Sequence, residues 1–100
     1  MRYFFASREA ARSPRWRAVR KAFIQAHPTC AKCGGGRLLR LEAHHVIPFH
    51  EAPELELDPA NLITLCRRLR GGHHLSIGHL GDWTRSNAHV REDAARPGDD

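Results

Sequence analysis

The chain has 100 residues, 41% hydrophobic and 27% charged, and its Lys and Arg outnumber Asp and Glu by 16 to 11 for a net charge of +5. That length allows one small domain, whose limited core commonly leans on a metal or on disulfides. No apolar run approaches a membrane span, so no membrane partner is expected, and the mostly arginine cations favour nucleic acid because a planar guanidinium suits phosphate.

Residues 1–12, with Tyr3, Phe4 and Phe5, read as an N-terminal arm that packs aromatics onto the domain. Ser13-Pro14 reads as an N-cap and first-turn proline, and Trp16, Val19, Phe23 and Ala26 then recur at helical spacing. This predicts a helix over 14–26 whose apolar stripe packs on the core. Arg15, Arg17, Arg20 and Lys21 fall mostly on its other faces, as solvated surface or as phosphate contacts.

His27-Pro28 stops that helix, and Thr29 to Gly36 follow as a tight turn in which glycines let backbone amides point at the thiolates of Cys30 and Cys33. The spacing is half of a zinc site. A redox Cys-x-x-Cys pair would need a strand-to-helix context that the triple glycine does not supply. Three cysteines cannot pair completely, and with no signal peptide they imply reduced thiols in a cytoplasmic setting.

A strand is predicted over 37–46, carrying His44-His45 and ended by Pro48. Residues 49–59 form a loop in which the alternation Glu54-Leu55-Glu56-Leu57-Asp58 suggests a short edge strand with its acids in water. Leu62 to Leu65 form a buried strand, the second arm of a hairpin whose long loop holds Asn61. Arg67-Arg68-Leu69-Arg70-Gly71-Gly72 reads as a basic, glycine-ended turn, and a helix over 73–80 is shortened or made irregular by Gly78. Gly81-Asp82-Trp83 resets the chain before a last helix over 87–95 that docks Trp83 and Val90, and 96–100 is a tail. One domain, 13–95, therefore lies between arm and tail.

A structural zinc needs four soft or borderline ligands, and Cys30, Cys33 and Cys66 supply three. A fourth cysteine would fall naturally at position 69, but Leu69 stands there, and His73 is the first candidate beyond the turn. A catalytic cation needs fewer protein ligands and open positions; His44 and His74 remain for it, with His45 beside them as a base. Strict strand alternation sends His44 and His45 to opposite faces, so either a scissile phosphate sits between metal and base or the backbone bends there.

The order Cys30-x-x-Cys33, His44-His45-Val46-Ile47-Pro48, Asp58-Pro59-Ala60-Asn61-Leu62-Ile63-Thr64-Leu65-Cys66 and His73-His74 resembles the HNH endonucleases, in their zinc-stapled phage and bacterial standalone subgroup. The resemblance covers roughly residues 13–87. It implies an α+β ββα-metal (HNH, His-Me finger) domain with a structural zinc knuckle and flanking helices. It further implies a metal-dependent DNA endonuclease in which His44 and His74 ligate a divalent cation (Mg2+, Mn2+, Ni2+ or Zn2+), with His79 as a further ligand or phosphate contact and His50 as a weaker one. By the same resemblance His45 is the general base, and Asn61 fixes the hairpin loop and so orients His45. The departure is in the knuckle, where the family usually has a second Cys-x-x-Cys; His73 is taken as the fourth zinc ligand. Arg67, Arg68 and Arg70 are the expected nucleic-acid contacts, and with no obvious specificity domain recognition is either loose or supplied by a protein partner. The alternatives are a non-catalytic zinc module that binds nucleic acid and a zinc knuckle that binds protein.

Overall fold

The computed structural model describes residues 11–36 and 39–97, without the side chains of 69 and 70. Most of the expected arm, the start of the first predicted strand, the end of the tail and the Arg70 contact lie outside the described residues. The elements are helix α1 (Trp16–Ala26), strands β1 (Leu41–His45) and β2 (Leu62–Cys66), helix α2 (Arg68–His73) running into a π-helical turn (His74–Gly78), and helix α3 (Val90–Ala95). Single 3-10 turns at Pro53–Leu55 and Pro59–Asn61 punctuate the long hairpin loop. This is a small α+β domain: an antiparallel hairpin, registered from Leu41 opposite Cys66 to His45 opposite Leu62, with helices packed around it.

Every residue of β2 is buried, which fits its apolar, β-branched sequence Leu-Ile-Thr-Leu-Cys. The core gathers Ile63, Leu65 and Cys66 from this strand, Cys30 from the knuckle, and Val90 and Ala94 from α3. Removing these side chains from water is the main favourable term in so small a domain.

α1 starts two residues later than the serine and proline suggest. Ser13 Oγ accepts from Arg15 N at 3.0 Å and its carbonyl accepts from Trp16 N at 3.1 Å, so the serine closes the turn that precedes the helix. The helix lies against β1, with Trp16, Val19 and Phe23 half-buried and Ala26 exposed. No residue of α1 is fully buried, so the stripe covers the hairpin without entering the core.

Three further expectations are corrected. The segment predicted as a basic turn is helical from Arg68, and the helix predicted over 73–80 gives way at His74 to the wider π turn. Residues 54–58 form no strand, and Glu56 is 3% exposed instead of facing water. Its carboxylate tolerates burial because Arg12 Nε lies 2.8 Å from one oxygen and Ser13 N donates to the other at 3.0 Å. Trp83 is 46% exposed and packs on histidine rings, whereas Val90 enters the core without it. Among the described residues no helix is long and apolar enough to cross a membrane.

Candidate metal centres and active-site cavity

The knuckle turn, the end of β2 and the end of α2 meet at one point. Cys30, Cys33, Cys66 and His73 place one ligand atom each within 4.8 Å of one another. The His73 atom facing the thiols is Nδ1, which lies 3.2 Å from Cys66 Sγ and 3.7 Å from Cys30 Sγ. Cys30, Cys66 and His73 are buried while Cys33 is exposed. Burial pushes the Cys30 thiol up, but the backbone amides of Cys33, Cys66 and Lys32 outweigh it and hold the thiol below its ordinary value. Burial holds the Cys33 thiol above its ordinary value, with the neighbouring thiols adding to it and the Gly35 amide opposing. Gly72, at a φ of +56°, lets the chain pass the end of β2, since a side chain there would run into the Cys66 carbonyl at 2.7 Å. Three sulfurs and one imidazole nitrogen on such a turn are a donor set that fits tetrahedral zinc.

A second cluster lies on the other side of α2. His44, His74 and His79 also bring one ligand atom each within 4.8 Å of one another, and their ring centroids are 4.9 to 5.0 Å apart. Neighbours on a helix point about 100° apart, which sends His73 to the thiols and His74 to the imidazoles. The π turn then helps bring His79, five residues on, to the side of His74, where a regular α-helix would rotate it well away. Gly78 makes room for the His44 ring, because a Cβ there would stand 3.2 Å from Cε1.

The hydrogen bonds indicate which nitrogens remain for a ligand. His79 Nδ1 donates to the Arg85 carbonyl at 2.7 Å, leaving Nε2 as the acceptor. His74 Nδ1 lies 2.8 Å from Glu42 Oε1, at ion-pair distance though not in hydrogen-bond alignment. His44 Nε2 is buried and has no hydrogen-bond partner. An orphaned buried nitrogen on a ring packed against two other imidazoles is costly for the polypeptide alone, and the donor chemistry of the three rings fits a divalent cation. Burial, followed by the charges of His74, His79 and His45, pushes the His44 pKa down to about 3. His74 is lowered by burial, with Glu42 opposing. Neutral imidazoles are the form that binds metal.

His45 belongs to neither cluster. β1 ends on it, the chain bends at Val46 and Ile47, and both His45 and the three clustered histidines line one cavity of about 450 Å³. Both histidines stand within the strand, paired with Ile63 and Leu62, so the bend follows them and does not lie between them. His45 Nε2 lies 3.0 Å from the Glu56 carbonyl, which can only accept, so Nε2 carries the proton and Nδ1 keeps a lone pair. Its ring packs on Trp16 at 4.6 Å between centroids. Burial lowers the His45 pKa, Arg12 lowers it further and the Glu56 carbonyl opposes, so the ring is neutral at neutral pH.

Asn61, 6% exposed, clasps the loop that carries this carbonyl. Its Oδ1 accepts from Ile47 N at 2.9 Å, and its Nδ2 donates to the carbonyls of Ile47 at 3.1 Å and Leu55 at 3.4 Å. Of the other predicted residues, Arg67 is tied to Glu42 at 3.1 Å, Arg68 is exposed, and His50 stands apart beside Glu51. Glu42 and Arg12 were not singled out by the sequence, and Glu56 was read only as a solvated acid. For Glu42 a signal existed, since it shares a strand face with His44 two residues on.

A model of the HNH endonuclease family matches residues 30–68. That span contains His44, His45, Asn61 and the three cysteines, and ends before His73, His74 and His79. No curated protein and no solved structure gives a match.

Proposed function

Because the chain belongs to the HNH endonuclease family through residues 30–68, we propose that it is a metal-dependent DNA endonuclease that hydrolyses phosphodiester bonds. The observation that carries this reading is the shared cavity, in which a neutral His45 with a free Nδ1 faces the same space as three imidazoles with an orphaned nitrogen among them. A module that only binds nucleic acid has no need of an unliganded base beside a metal.

In this reading Cys30, Cys33, Cys66 and His73 hold a structural Zn2+ that ties the knuckle to the hairpin and α2. His44, His74 and His79 hold a divalent cation such as Mg2+, Mn2+, Ni2+ or Zn2+, which when bound polarises a phosphoryl oxygen and stabilises charge on the departing 3′ oxygen. His45 Nδ1 takes a proton from water as the water oxygen attacks phosphorus. The bond from phosphorus to the 3′ oxygen breaks, and that oxygen takes a proton from solvent. The Glu56 carbonyl keeps Nε2 protonated throughout and so keeps the lone pair on Nδ1. Asn61 acts through that loop as a positioning residue, and Glu42 orients His74 by facing its Nδ1.

The test is cleavage of supercoiled plasmid across Mg2+, Mn2+, Ni2+ and Zn2+. Cation-dependent nicking that is lost in His44→Ala and His74→Ala is expected. Salt-dependent binding without cleavage under any cation would instead favour the non-catalytic zinc module.

A further inference from the structure

α1 lies outside the matched segment, yet it forms one wall of the cavity. Trp16 and Arg20 line the space that holds His45, and Arg20 also lines an adjoining groove of about 520 Å³ formed with Arg17, Lys21, Ile24 and Leu41. No acidic residue occurs in α1, and among the described residues Arg17, Arg20 and Lys21 have no ion-pair partner. Arg17 precedes Arg20 and Lys21 by three and four positions, so the three cations are neighbours on one helix surface and repel one another.

Arg12 continues the line into the cavity. Its Nε is committed to the buried carboxylate of Glu56, and its guanidinium lies over the rings of Phe49 at 4.5 Å and Trp16 at 5.5 Å. That leaves a cation held by three partners, still about half exposed, with its terminal amino groups outside the Glu56 bond. The acid that lines the cavity, Glu42, is already occupied by Arg67 and His74, and the adjoining groove is lined by no acid. On the α2 side, Arg67 is neutralised by Glu42 and stacked over Trp83 at 5.4 Å. Among the described cations that line the cavity and the groove, those without an acidic partner, Arg17, Arg20 and Lys21, are therefore on α1.

We propose that the DNA phosphate backbone approaches the cavity along α1, over a track of Arg17, Lys21, Arg20 and Arg12, and not along α2. The polyanion's identity rests on the nuclease reading, but the test needs no cleavage. Phosphates along this track convert the repulsion among the helix cations into attraction, and the fixed guanidinium of Arg12 receives the strand next to His45.

The experiment measures binding of a fluorescent random-sequence DNA duplex to the full-length His45→Ala protein by anisotropy across a salt titration. Each phosphate contact contributes about 0.9 to the slope of log affinity against log salt. The triple variant Arg17→Gln/Arg20→Gln/Lys21→Gln is expected to lower the slope by about 2 to 3, and Arg12→Gln by about 1, while Arg68→Gln leaves it unchanged. Thermal melts accompany each variant, because an Arg12 that serves only to pair with Glu56 would move the melting temperature and not the slope. Arg12→Lys retains a cation and is expected to keep the slope while losing affinity. An unchanged slope in the folded triple variant overturns the track, as does a loss confined to Arg68→Gln or an absence of DNA binding. Binding through α1 in a protein that never cuts would leave the track standing and refute the nuclease reading; cutting that ignores the α1 charges would do the reverse.

Discussion

Replacing Asn61 with alanine removes the clasp that holds the ends of the long loop against the hairpin. Two well-formed hydrogen bonds to Ile47 and a long one to Leu55 are lost from a side chain only 6% exposed. At about 1 kcal/mol net for each good bond, with some further cost for backbone groups left unpaired, the variant should be destabilised by about 2 to 3 kcal/mol. The loss reaches His45 because Leu55 precedes Glu56, whose carbonyl fixes the His45 tautomer. A base displaced by about 1 Å costs on the order of 100-fold in rate, so plasmid cleavage should fall by that amount with the zinc content unchanged. Urea melts give the stability and initial nicking rates give the activity. Asn61→Asp refines the test, because it keeps an acceptor for Ile47 N but turns a carboxylate oxygen toward the Ile47 carbonyl, and it should be as inactive as the alanine variant. Wild-type nicking by a folded Asn61→Ala protein would refute the reasoning.

Other consequences follow from the same geometry. With His45 as the proposed base, acting in its neutral form with a pKa lowered by burial, cleavage should rise with pH through a midpoint below the ordinary histidine value of about 6.5 and level off near neutrality; a midpoint above that value in kcat/KM profiles would contradict the burial argument. For the protein without its cavity cation, the depressed His44 pKa contributes stability that is present above pH 6.5 and is lost as pH falls toward about 3. Denaturant midpoints across that window should therefore fall more steeply in wild type than in His44→Gln, and parallel curves would count against it. Glu42→Gln removes the carboxylate facing His74 and should weaken cation binding by on the order of 10-fold in calorimetric titrations, with unchanged affinity as the opposing result. Cys30→Ser or strong chelation should unfold the domain, because structural zinc contributes on the order of 10 kcal/mol of folding energy; a far-UV spectrum unchanged after verified zinc loss would disprove that role.

Much of the site could be read from the chain because its residue types carry their own chemistry. Cys30, Cys33 and Cys66 are few and characteristically spaced, so they and His73 could be grouped without knowing the fold, and the structure brings these four together. His44 and His74 were set aside for a second cation in the same way, His79 was added by the family resemblance as a ligand or phosphate contact, and the three rings meet in the second cluster. The hairpin was legible from the apolar run of β2. What escaped depends on contacts between distant segments. Glu56 looks like a solvated acid in its alternating stretch, and its burial is made possible by Arg12, 44 residues earlier, together with the Ser13 amide. The π turn after His73 has no residue signature beyond Gly71, Gly72 and Gly78, and these read more readily as a turn than as a helix. Trp83 was expected to dock with the last helix, yet it covers His74 and His79, held in the turn that Asp82 and Thr84 close around it.

The central claim is that His45 stands apart from both metal clusters and acts as the base. It is tested most directly by nicking of plasmid by His45→Ala, with bound metal quantified by elemental analysis on the same sample. Cleavage is expected to fall by on the order of 100-fold or more, the range for a lost general base, with metal content equal to wild type. Undiminished cleavage, or loss of a metal ion along with activity, would contradict it.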